Sequence, residues 1–126
     1  MKRTTKADFD LFKKECEKWI EFFGLKEWDI LIEHIDSEES WWARCGAGYI
    51  TKSGEIHLNK NWDEQRPLDK YHIKKNAFHE VCHLLFWDLR QLAHSRFLEE
   101  DEIENKEHEM ISKLINSVFK RFDKKE

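Results

Sequence analysis

Glycine and proline are scarce in this chain, with four Gly and one Pro in 126 residues. So little backbone punctuation leaves little room for long irregular loops and points to regular structure. Cysteine is also sparse. Cys16, Cys45 and Cys82 form no C-x-x-C pair, which excludes a cysteine zinc ribbon and a disulfide scaffold and fits a reducing compartment. No apolar run reaches the length of a signal peptide or a membrane span. A cytoplasmic protein with no membrane partner is the expectation. The formal net charge of -4 gives no support to nucleic-acid binding. The basic clusters at the two ends (Lys2, Arg3 and Lys6; Lys120, Arg121, Lys124 and Lys125) read as solvated termini. No repeat, low-complexity run or linker divides the chain, so a single domain over 1–126 is expected.

What is present suffices for a core. Hydrophobic residues make up 40% and aromatics 13% of the chain, and a domain of this size buries roughly two-thirds of its unfolded surface. The six Trp read as core material. From Ala7 to Phe23, apolar residues recur at helical spacing (Phe9, Phe12, Cys16, Trp19, Ile20, Phe23), with Thr5 placed to cap the start and Gly24 the end. Trp28 to Ile35 alternates as a strand. Trp41 to Ile50 reads as a second strand, weakened by Gly46 and Gly48. Lys52-Ser53-Gly54 reads as a turn into a third strand, Glu55 to Asn59, and the last two strands form a hairpin. A helix is expected from Leu68 or Asp69 to about Ala93, and a last helix from Glu100 to Phe122 with Ile103, Met110, Ile111, Leu114, Ile115, Val118 and Phe119 as its apolar stripe. The fold class is α+β.

The chemistry centres on Asn76-Ala77-Phe78-His79-Glu80-Val81-Cys82-His83-Leu84-Leu85. Residues i and i+4 share a helix face about one turn apart. His79 and His83 can therefore grip one Zn²⁺, with Glu80 as general base toward a metal-activated water. The uncharged flanks describe a helix buried on one side, and burying two His and a Glu needs a reason. His72, Phe86, Arg90 and His94 continue the polar stripe. Cys82 points away from the two His and reads as core.

A catalytic zinc takes three protein ligands and leaves one position open, and this motif supplies two. Glu107 falls near the centre of the last helix's apolar stripe, an odd place for a carboxylate unless it is paired or bound. It is the first choice for the third metal ligand, with Glu104 and His108 as alternatives. The metzincin extension is absent, because Phe86 and Leu89 stand where its Gly and third His would be. Tyr71, His72, Arg90 and His94 are candidates to stabilise an oxyanion, although His72 and His94 also read as surface histidines.

The order of elements around Ala77–Leu85 resembles a minimal zincin domain: N-terminal helix, small three-stranded sheet, H-E-x-x-H helix and C-terminal helix. It is similar to the small metallopeptidases of bacteriophages and prophages, and more distantly to SprT-like proteases. The resemblance spans nearly the whole chain, but only His79-Glu80-Val81-Cys82-His83 matches sharply. It implies zinc on His79 and His83, Glu80 as base, a peptide or protein substrate, a host cytoplasm, and Glu55–Asn59 as the sheet edge beside the cleft, where an extended peptide could add. The His-Gly-x-x-Trp context of SprT-like proteins is missing, so no DNA-linked role carries over. A Glu ligand at 107 is closer to gluzincin-like sites. The expectation is a zinc-dependent peptidase, kept safe by a narrow substrate or a regulatory protein partner. The alternative is a non-catalytic, zinc-stabilised interaction protein. A metal-free helical adaptor with a chance motif is a third reading.

Overall fold

The computed structural model describes residues 2–25, 27–48, 52–65, 67–87, 90 and 100–123. The first helix, α1 (Lys6–Phe22), begins and ends where its local chemistry dictates. The Thr5 hydroxyl accepts from the Asp8 N–H at 3.2 Å, and the Asp8 carboxylate accepts from the Thr5 N–H at 2.9 Å. This reciprocal box satisfies two N–H groups that the helix leaves orphaned. At the far end Gly24 adopts φ +69. The Gly24 N–H donates to Glu21 O and the Leu25 N–H to Ile20 O, which closes a Schellman motif.

Three strands follow: β2 (Asp29–Ile35), β3 (Ala43–Gly48) and β4 (Ser53–Asn59). A two-residue strand, β1 (Lys2–Arg3), precedes α1 and pairs with β5 (Asn61–Trp62), a contact the sequence did not announce. β3 and β4 form the expected antiparallel hairpin. β2 joins the other side of β4 in parallel, so the order is β2-β4-β3. This corrects one expectation: Glu55–Asn59 lies in the middle of the sheet, not at the edge beside the cleft. The reason is burial. Ile56 and Leu58 are both 0% exposed, and a strand this apolar on one face is covered best with a neighbour on each side. The edge strand packed on the motif helix is β3.

The inner face of the sheet carries Ile30, Ile32 and His34 of β2, Gly54, Ile56 and Leu58 of β4, and Ala43, Cys45 and Ala47 of β3. The second helix, α2 (Lys70–Leu85), packs there alongside α1. Asp69 caps it by accepting from the His72 N–H at 2.9 Å. Contact with the sheet is close at one point: a Cβ on Gly54 would lie 3.1 Å from Leu84 Cδ2. Trp19 fills the centre between the helices, with Phe78 edge-on at 4.7 Å. Trp28 and Trp62 are buried as well, while Trp41, Trp42 and Trp87 are half-buried. Fully buried Asn59 binds the β2–β3 connection: its Oδ1 accepts from the Ser37 and Asn61 N–H groups, and its Nδ2 donates to Glu39 O and Trp41 O.

The motif helix is shorter than its periodicity predicts. It stops at Leu85 with Phe86 as the cap (φ -95, ψ 5), and Trp87 and Arg90 are helical beyond the break. The part of the expected helix at 91–93 lies outside the described residues. Neither Gly nor Pro marks the break, so residue propensity could not reveal it. The last helix, α3 (Glu100–Leu114), runs through a π-helical segment, Ile115–Phe119, into a short α4 (Lys120–Asp123). Among the described residues its buried ones are Ile103, Glu107, Ile111, Ile115 and Phe119, spaced four apart. In an α-helix such a row drifts by about 40° per step. The wider π turn rotates less per residue and brings Phe119 back onto the core. Met110, assigned to the stripe from sequence, is 38% exposed. No helix among the described residues is long and apolar enough to cross a membrane.

Candidate metal centre

His79 and His83 lie one turn apart on α2, with ring centroids 4.9 Å apart. The i, i+4 spacing alone produces that pairing. α3 brings a third imidazole to them. His108 lies 5.5 Å from the His79 ring and 5.3 Å from the His83 ring. One donor atom from each of the three lies within 4.8 Å of the others. A tetrahedral zinc with Zn–N bonds of 2.0–2.1 Å needs edges of roughly 3.3 Å, so modest side-chain rotation closes the set. All three donors are nitrogens of the kind zinc accepts, and the arrangement fits such an ion.

The three candidates for the third ligand therefore have three different places. His108 joins the convergent set. Glu107, the first choice from sequence, is 5% exposed and its Oε1 lies 2.9 Å from His83 Nδ1. It lies outside the group of three donors. Glu104 pairs with Arg90 at 2.8 Å. The helical-face argument found the residue facing α2, but a ligand can stand at the side of that face. Which side depends on how α2 and α3 cross, and a wheel of one helix does not contain that angle.

Glu80 is 5% exposed. Burial pushes its carboxyl up from 4.5 to about 7; the nearby His83 lowers it and Glu107 raises it. A carboxyl poised near neutrality can both take and return a proton. The His83 and Glu107 shifts have opposite directions. Burial pulls His83 down, but its hydrogen bond to Glu107 and the charges of Glu80 and Glu107 together outweigh this and leave it raised. Burial raises Glu107, while the bond to His83 and the charge of Arg90 leave it lowered. The two form a part-buried, hydrogen-bonded ion pair. Burial pushes the Cys82 thiol up to about 12 and Cys16 and Cys45 well above the ordinary value, with the charge of Glu80 adding to each. The thiols stay protonated, which suits the reading of Cys82 as core.

Two of the four oxyanion candidates, His72 and Arg90, are hydrogen-bonded elsewhere. Tyr71 packs on Phe119 and His72. His72 Nδ1 lies 2.7 Å from Asp69. Arg90 binds Glu104 and Glu100 and stacks over Trp87. His94 lies outside the described residues. The Arg90 link was not legible in the sequence. It ties the segment after α2 to the first turns of α3, which sets the helix that carries His108. Comparison with protein-family models, with curated proteins and with solved structures returned no match.

Proposed function

We propose that this chain is a zinc-dependent peptidase of the zincin type. One observation supports the reading most: among the described residues three imidazoles from two helices converge and no fourth donor joins them. Structural zinc sites are closed by four protein ligands, whereas catalytic sites hold three and leave a position open. That distinction favours an enzyme over a zinc-stabilised interaction protein.

His79, His83 and His108 would hold the ion. A bound Zn²⁺ supplies Lewis acidity, polarising a peptide carbonyl and making water acidic enough to attack at neutral pH. Glu80 follows the first ligand, His79, on α2 and has a carboxyl near 7. It accepts the proton of the attacking water and returns it to the departing amine. The substrate is a peptide in extended form. β3 is an edge strand of the sheet and packs on α2, so a peptide added along it would pass near the histidines.

The test is Glu80→Gln. The variant is expected to retain one zinc per chain by mass spectrometry and to lose cleavage of a peptide library. Cleavage at the wild-type rate in that variant would refute the assignment of the base.

A further inference from the structure

This inference rests on the metal-site reading above and assigns a role to Glu107, a buried charge beside the site that the reading leaves unused. Glu107 and His108 are neighbours on α3, so their side chains leave the helix about 100° apart. His108 converges on His79 and His83. Glu107 instead meets the back of the His83 ring, with Oε1 2.9 Å from Nδ1. An ionised carboxylate only accepts, so Nδ1 carries the proton. In the neutral ring this leaves the lone pair on Nε2, the other nitrogen. We infer that Glu107 is the positioning residue of the metal centre: it holds His83 in the Nδ1–H tautomer and fixes the angle at which Nε2 meets the ion.

Two observations show that this placement is costly. The Glu107 side chain is 5% exposed, and its Oε2 has no hydrogen-bond partner among the described residues. Keeping such a group inside is costly. A partner that orients a ligand imidazole and makes it more basic repays that cost when metal binds. Arg90, which pairs with Glu104 one turn earlier, adds positive charge on the same side. Adjacent residues on one helix thus divide the work, with one binding the ion and the other aligning a ligand from the facing helix.

The experiment compares wild type with Glu107→Gln, Glu107→Ala and His108→Ala. Zinc affinity is read by competition with a chelator, and the ring-nitrogen pattern of His83 by ¹⁵N NMR on metal-free protein in alkaline buffer. Gln keeps the shape and the acceptor, so it should lose at most about tenfold in affinity and keep the Nδ1–H pattern. Ala removes the acceptor, and should lose about 10–100-fold and the fixed tautomer together. His108→Ala should lose more than either. Glu107→Gln falling as far as His108→Ala would make Glu107 a ligand and overturn the proposal. Wild-type affinity and an unchanged ring pattern in Glu107→Ala would overturn it while the peptidase reading stands. No zinc bound by wild type would overturn both.

Discussion

Replacing Glu80 with Gln should stabilise the metal-free protein, and the gain should depend on pH. Glu80 is 5% exposed and its carboxyl titrates near 7 instead of 4.5, chiefly through burial. The folded state therefore holds a proton that the unfolded chain has released. Stability falls as pH rises above about 4.5 and levels off above about 7. The gap of about 2.5 pH units, at ~1.36 kcal/mol each, amounts to about 3 kcal/mol at pH 8. Gln is neutral and nearly the same shape, so it escapes this cost but must still place a buried amide. A net gain of about 1–3 kcal/mol at pH 8 follows, shrinking to nothing near pH 4. For a domain of this size that is roughly 4–12 °C in Tm. Thermal melts of both proteins in chelator at pH 4, 6 and 8 measure it. Equal stability at pH 8, or a gap that does not change with pH, would refute the claim that this carboxylate is held at a cost. On the proposed peptidase reading the same substitution ends catalysis, so stability and activity would be opposed at this residue.

The remaining predictions concern the frame around the site. Gly54→Ala puts a methyl 3.1 Å from Leu84 Cδ2 and 3.4 Å from Gly46 O. Leu84 follows His83 on α2, so a loss of about 1–3 kcal/mol should come with weaker zinc binding; an unchanged melt and unchanged affinity would show that the sheet–helix contact is slack. Asn59→Ala removes all four of that side chain's hydrogen bonds. It should cost about 2–4 kcal/mol, and urea unfolding within 0.5 kcal/mol of wild type (~10% of a typical small domain's stability) would contradict its role as the tie for the β2–β3 connection.

Much of this molecule is local and so was legible. Thr5, Gly24 and Asp69 mark helix ends because a cap depends on a few neighbouring residues. The β3–β4 hairpin forms across a short turn. His79 and His83 meet because helix geometry alone places i and i+4 together. Glu107 could be marked as unusual because a carboxylate in an apolar stripe is visible from sequence, but its partner could not.

What the sequence left open depends on contacts between distant segments. β4 is central because β2 returns to it in parallel, a pairing no turn residue dictates. His108 joins His79 and His83 while Glu104 pairs with Arg90, and Glu107 turns to His83, because of the way α2 and α3 cross. The depth of Glu80, and so its readiness to exchange a proton near neutrality, comes from the packing of α1, α2 and β3 around it. The sequence by itself determined which residues could bind a metal and move a proton, since helical spacing is a property of the backbone. Only the tertiary structure decided which of them stand together, since that requires side chains from segments more than twenty residues apart (His83 to Glu107 and His108) to be held within a few ångströms by the packing between them.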